Sequence, residues 1–290
     1  MKRFISFLLA LLLFVIVSKT YSAATSSQPA TTPASSQASQ SAKELTLDLG
    51  DKVTMKLVLI PSGKFMMGSP ENEKYRQQNE GPQHEVTISK AFYMGKNLVT
   101  QEQYKKVMGS NPSNFRGEQN PVEVVSWDDA QEFCKKLSTT SGKTIRLPTE
   151  AEWEYSCRAG STTAFCFGDD DKDLADYAWY GSNPEVKGCP PGNSNNIPHP
   201  VGQKKPNAWG LYDMHSNLWE WCQDWYGSYL ADAVTDPQGA ARGTERVVRG
   251  GSWYGNSGNC RSAYRLRYIP TRRGGNVGFR VVAGASSTAP

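Results

Sequence analysis

The sequence predicts a single domain with an irregular α+β fold, and three observations carry that prediction. Gly at 26 and Pro at 17 interrupt the 290-residue chain too often for a helical bundle. Short apolar runs near both ends read as strands, while three capping signatures between them mark short helices. The stretch 159–208, dense in Gly, Asn, Asp and Pro, reads as one long loop. An apolar fraction of 38% is ample for a sizeable core, and no repeat of fixed period appears.

The chain opens with Lys2 and Arg3, an apolar run from Phe4 to Val17, and a small-residue end at Tyr21-Ser22-Ala23, the pattern of a secretory signal peptide over 1–23. The run is shorter than the roughly 20 residues a spanning helix needs, and no cysteine follows it for a lipid anchor. No membrane span is expected, and the mature chain is expected to be secreted or periplasmic, where its six cysteines can form disulfides. Residues 24–43, almost all Ser, Thr, Ala, Pro and Gln, read as a disordered linker. The domain spans 44–284, with a flexible tail at 285–290. Export and a net charge of only +4 give no case for nucleic acid.

Within the domain, 45–60 reads as a hairpin broken at Gly50-Asp51, followed by an edge strand near Phe65-Gly68 and a strand pair at His84-Ile88 and Ala91-Met94. Thr100 with Gln103 caps a helix ending at Gly109. A second helix starts at Ser126 and turns Ala130, Phe133, Cys134 and Leu137 to the core. Thr149 with Glu152 caps a third, with Trp153 and Cys157 on one face. A bridge between Cys166 and Cys189 is expected to order part of the long loop, and 246–249 and 277–282 read as closing strands.

Most catalytic motifs are absent: there is no HExxH, CxxC, P-loop or GxSxG. His84, His199 and His215 stand alone in sequence and read as surface or hydrogen-bonded histidines. The run Asp169–Asp173 has Leu174 and Tyr180 where an EF-hand needs Gly and Glu, so it reads as a solvated loop. In GLYDMHSNLWEW, 210–221, Asp213 and Glu220 offer hard oxygens, and Ser216 and Leu218 could add main-chain carbonyls, a set suited to calcium. The same spacing also fits carboxylates that merely cap and brace the loop. Arginines from Arg242 to Arg280 interleave with Trp253, Tyr254, Tyr264 and Tyr268, a mixture that can bind acidic glycans. Arg261, Arg265 and Arg280 can equally be buried ion-pair partners. The loops 254–259 and 266–275 have the composition of an adaptable binding surface, with Tyr254, Asn256, Asn259, Arg267, Tyr268 and Arg272 as candidate contacts for a protein or glycan ligand.

Six segments occur in order, IPSGKFMMGS, NPVEVVSWDDAQEFC, RLPTEAEWEY, GLYDMHSNLWEW, RGGSW and NVGFR. Together they make the chain, from about 45 to 284, resemble the formylglycine-generating enzyme or sulfatase-modifying factor family. The resemblance implies an irregular C-type-lectin-like fold and one calcium held by Asp213, Ser216, Leu218 and Glu220. A second calcium site of that family is expected to be absent, because Trp179 stands where it needs Asn. The family's enzymes are copper-dependent oxidases that convert a sulfatase cysteine to formylglycine, using two cysteines five residues apart. Cys260 matches the second, and Gly255 stands at the first. Trp219 and Ser252 correspond to residues lining the substrate cleft and, with Cys260, would be the catalytic set if the chain were an oxidase. Cys134 and Cys157 match half-cystines whose partners here are Val281 and Arg265, and Cys260 is expected to pair with Cys222 instead. The resemblance therefore leaves two functions: an exported binding or accessory module, favoured by the missing copper ligand, or a formylglycine-generating oxidase acting on a sulfatase polypeptide.

Overall fold

Asp51 and Lys52, both left-handed at φ 53° and 68°, fold β1 (Glu44–Gly50) back onto β2 (Val53–Ile60) as an antiparallel hairpin, as the break in the apolar pattern predicts. The computed structural model describes residues 44–182 and 189–285. The expected signal peptide and linker over 1–43, and the tail residues 286–290, lie outside them. Downstream come β3 (Gly63–Met67), β4 (His84–Ile88), β5 (Phe92–Gly95), α1 (Gln101–Met108), α2 (Trp127–Ser141), β6 (Ile145–Arg146) and α3 (Glu150–Arg158). The long loop follows, and then β7 (Trp219–Trp225), β8 (Val234–Thr235), β9 (Arg246–Arg249), β10 (Arg265–Tyr268), β11 (Val277–Gly278) and β12 (Val282–Gly284). Three curled sheets result, in the orders β1-β2-β5-β12-β6, β10-β9-β7-β11 and β3-β4-β8. Among the described residues no helix is long and apolar enough to cross a membrane.

One expectation is corrected here: β4 and β5 do not pair with each other. β4 pairs with β3 over five residues and with β8 on its other side, whereas β5 lies between β2 and β12. Between them, the Asp236 carboxylate accepts hydrogen bonds from the Ser89 backbone N–H, at 2.8 Å, and from its hydroxyl, which ties this connection to the segment after β8.

The three helices begin where the capping chemistry places them. At Thr100, Ser126 and Thr149 the side-chain oxygen accepts the N–H three residues on, and the side chain of Gln103, Asp129 or Glu152 reaches back to the cap. Gly109 and Gly142 end α1 and α2 in the left-handed conformation. Between the helices and the first sheet lies a core in which Tyr104 stacks on Phe133 and Phe279 meets both rings edge-on. A second core surrounds the fully buried Trp153 of α3.

Buried arginine–carboxylate pairs join these cores to the C-terminal strands. Glu150 takes Arg265 in a bidentate pair at 2.7 and 2.6 Å, and one turn later Glu154 takes Arg249 and the Nε of Arg158, the latter at 2.9 Å. Glu80 takes Arg261, and Glu220 takes Arg280 at 2.6 and 2.8 Å. The structural reading of Arg261, Arg265 and Arg280 is therefore the one realised. Burial opposes ionisation of Glu150, but Arg265 and Arg249 more than offset it, so its carboxyl is held below the usual range.

Removing one partner leaves a buried charge unpaired. Glu150→Gln is expected to destabilise the fold by about 3–5 kcal/mol, read as a lower urea midpoint at pH 7. Because the folded pKa of Glu150 is depressed, its contribution is present above the ordinary carboxylate range and lost as pH falls through the folded value. The variant should therefore lose less stability than the wild type on acidification.

Candidate functional site

Gly250 and Gly251, both left-handed at φ 96° and 81°, carry the chain out of β9 between packed neighbours: a Cβ on Gly250 would lie 3.0 Å from the Trp153 ring, and one on Gly251 3.1 Å from Cys260 Sγ. Trp253 then fastens the loop, its backbone N–H to Asn217 O at 2.8 Å and its indole to Gly275 O at 2.9 Å. The result is a cleft of about 450 Å³ that brings together Trp219, Ser252, Tyr254, Asn256, Asn259 and Tyr268.

Tyr254 is 69% exposed at its mouth, while the Ser252 hydroxyl is buried with no hydrogen-bond partner. Arg272 places its guanidinium 4.1 Å from the Tyr268 ring. Arg267 is not part of this cleft; it pairs with Glu245 at 2.8 Å and lines a neighbouring groove with Tyr226. The lining also includes Asn196 and Asn276, which sequence reasoning did not single out. Asn196 comes from the long loop, where no periodicity marks a position, and Asn276 is the first residue of the NVGFR segment. Among the described residues no lysine, arginine or carboxylate lines the cleft, and they offer amide, hydroxyl and aromatic contacts.

Cys260 lies behind this wall. It is fully buried, its thiol donates to Asn256 O at 3.3 Å, and burial pushes its pKa far up. At Gly255 a Cβ would meet Asn259 Oδ1 at 3.1 Å and Ser252 O at 3.5 Å. Positions 255 and 260 thus provide one protonated, inward-facing thiol, which does not fit a two-thiolate Cu(I) centre.

None of the six cysteines is bonded to another, which corrects the expected bridges. Cys222 belongs to the core around Trp153, whereas Cys260 packs with Phe165 and Tyr180 in a separate cluster. Cys189 lies 3.0 Å from the Ser257 hydroxyl, and Cys166 donates its N–H to His215 Nε2. Cys134 and Cys157 are both buried and free, and Arg265 stands in its ion pair.

The 210–221 loop is shaped by left-handed residues Asp213 and Asn217, at φ 57° and 87°. Asp213 is 1% exposed; its Oδ2 accepts the Gly202 N–H at 2.8 Å, but its buried Oδ1 has no partner. Burial raises this carboxyl to about 6. Glu220 is held by Arg280, and the Ser216 hydroxyl is turned to Trp179 O at 2.6 Å, which leaves the main chain of Ser216 as its contribution. The orphaned buried oxygen of Asp213 in an irregular turn suits a hard cation, whereas both oxygens of Glu220 are taken by Arg280. No group of three or more His, Cys, Asp or Glu suited to a metal occurs among the described residues. At Trp179 the ring stacks on His199 at 3.8 Å and takes the Lys204 ammonium at 3.8 Å. All three histidines bond to backbone atoms. Asp171 departs from the solvated-loop reading of its acidic run, being 5% exposed and accepting from Ser257 at 2.9 Å.

Fold and cleft define a sulfatase-modifying-factor type of α+β domain. The family model described as the sulfatase-modifying factor enzyme 1-like domain matches residues 48–285, and the chain belongs to that family. It is similar to a chaperone protein LppX of Paenibacillus barcinonensis, 31% identical over 79% of this chain and 90% of the relative. A formylglycine-generating enzyme of Streptomyces coelicolor is 30% identical over 80% and 90%. Among solved structures, Treponema denticola variable protein 1 superposes with a TM-score of 0.74 at 30% identity, covering 83% of this chain and 99% of the other. PvdO from Pseudomonas aeruginosa follows at 0.71 and 29%, covering 83% and 98%.

The burial of the thiols predicts their reactivity. Brief alkylation of the native, reduced protein at pH 8 should label Cys166 and Cys189, which are partly exposed, and leave Cys134, Cys157, Cys222 and Cys260 unmodified until denaturant is added. Peptide mass spectrometry reads this, and early labelling of Cys260 would contradict the geometry.

Proposed function

We propose that this chain is an exported binding or accessory module of the sulfatase-modifying-factor family that uses the Trp219–Ser252 cleft to recognise a protein or glycan ligand and does not carry the copper oxidase chemistry. The observation that carries this reading is the pair Gly255 and Cys260: no sulfur stands at the first position, and the thiol at the second is buried behind the wall. The cleft's described lining of tyrosines, asparagines and serines supports recognition of polar, hydroxyl-rich surfaces, with Tyr254 and Tyr268 as the aromatic contacts, Asn256 and Asn259 as adaptable hydrogen-bonding groups and Arg272 beside Tyr268. Similarity to both a chaperone and formylglycine-generating enzymes is compatible with one fold serving either role.

The decisive test adds Cu(I) and a Cys-x-Pro-x-Arg peptide to the reduced protein under air. No aldehyde should form by mass spectrometry, and stoichiometric Cu(I) uptake with aldehyde formation would restore the oxidase reading. In parallel, ligands retained on a glycan array or peptide panel should lose about ten-fold in affinity on Tyr254→Ala. If nothing is retained and changes in 254–259 alter no interaction, the recognition reading fails.

Calcium at Asp213, Ser216, Leu218 and Glu220 belongs to the same proposal as a structural ion that braces the loop carrying Trp219. Without the ion, the folded Asp213 carboxyl near 6 lies above its ordinary 3.8, so stability it contributes below 3.8 is lost as pH rises through 6. Millimolar calcium at pH 7.5 should raise Tm by a few degrees, less so at pH 5, and Asp213→Ala should remove the increment. Equal Tm with calcium and with EDTA at pH 7.5 would sink the site.

A further inference from the structure

A second cavity, of about 520 Å³, shares no lining residue with the Trp219–Ser252 cleft. The segment 227–240 forms one side of it, and β4, β7 and the start of α3 supply His84, Asp224 and Glu150. Most of its wall is apolar, with Met67, Ala151, Trp225 and Pro237 inside and Leu230, 76% exposed, at the rim.

Its polar groups are the informative part. Arg265 is spent: its donors go to Glu150, Asn79 O and Gly227 O. Glu150 is fully engaged by Arg265 and the Tyr229 hydroxyl. Asp224 is different. It is 3% exposed, its Oδ2 accepts the Glu150 N–H at 2.8 Å, and its Oδ1 accepts no hydrogen bond. Segment 227–240 packs against that carboxylate at Gly239, where a Cβ would stand 2.9 Å from Oδ1, and the oxygen lies in the cavity lining without a hydrogen-bond donor. His84 is 6% exposed and edge-on to Tyr229, with Nδ1 3.0 Å from Pro82 O. A carbonyl only accepts, so in the neutral ring Nδ1 carries the proton and Nε2 keeps its lone pair, with no partner among the described residues. Beside the exposed Ser228, Asp232 and Gln238 of the lining, the two buried uncommitted atoms are thus both acceptors once Asp224 is ionised.

We propose that this cavity binds an aliphatic primary amine, its ammonium head donating to Asp224 Oδ1 and His84 Nε2 and its stem lying against the apolar wall. The volume is that of ordinary small-ligand sites, and a cationic donor is the chemistry that satisfies two buried acceptors beside an already neutralised arginine pair. Electrostatics agrees. Burial first, and then the Glu150 charge, push the Asp224 carboxyl up to about 8; Glu152 adds to the rise and Arg265 opposes it. Arg146 and Arg246 also feel the Asp224 charge. An ammonium supplies the missing counter-charge, so binding releases the Asp224 proton below pH 8 and needs none above it.

The test is calorimetric titration of the full chain with n-pentylamine, n-pentanol and pentanoate, and with Nα-acetyl-lysine methylamide as a lysine side-chain arm. Pentylamine or the lysine analogue should bind, and whichever does identifies a free amine or a protein lysine as the source; pentanol and pentanoate should not. Affinity should rise about ten-fold per pH unit from pH 6 towards 8, level off, and fall again as the amine deprotonates near pH 10.4. Asp224→Asn should weaken binding at least about thirty-fold at pH 8.5. Leu230→Lys, at an exposed position that leaves the core untouched, should also weaken it by placing a competing ammonium at the mouth. Failure of both amines to bind at 10 mM, equal binding of pentanol or pentanoate, or affinity unchanged in both variants would overturn the proposal. None of these outcomes bears on the cleft at Ser252.

Discussion

Two carboxylates one helical turn apart, Glu150 and Glu154, organise the C-terminal half of this protein. Both sit on α3 and both are buried, so each needs a fixed counter-charge. Arg265 on β10 and Arg249 on β9 meet that need, and both strands are thereby pinned to a helix laid down about a hundred residues earlier. Arg249 also donates to the carbonyls of Ser262 and Ala263, so the same guanidinium sets the path of the loop between β9 and β10. That loop carries Ser252, Tyr254, Asn256 and Asn259. The cleft is therefore an overhang from an ionic lattice, which lets an irregular segment stay in place with little regular secondary structure beneath it.

The lattice also sets the surroundings of positions 255 and 260. The loop between β9 and β10 that carries positions 255 and 260 is fastened by Arg249. Cys260 has become a core residue among Phe165, Leu174 and Tyr180, while Gly255 donates its N–H to Ser252 O in a tight turn. A Cβ at 255 would press on Asn259, which closes the turn by accepting from the Asn256 N–H. Asn256 and Asn259 thus form part of a polar wall.

Helix starts were legible in the sequence because capping is local: Thr100, Ser126 and Thr149 state their own hydrogen bonds within three residues. The arginines were legible as ion-pair partners because a charge inside an irregular core has few alternatives. Strand partnership was not, since β4 and β5 each find their neighbours through non-local register. Cysteine spacing misled for a related reason, as nothing in it tells which core cluster a thiol enters. Of the cleft, the residues after Gly251 could be read from composition, whereas Asn196 and the Asp224 cavity depend on loops folding back from other parts of the chain.

The stack of Lys204 on Trp179 and His199 has one more implication. The positive charge beside this indole ring is attached covalently, 3.8 Å from the ring centre. A tethered ammonium cannot be chelated, diluted or exchanged for a competing ion. The order of the long loop at this point thus draws on a charge that the polypeptide carries with it.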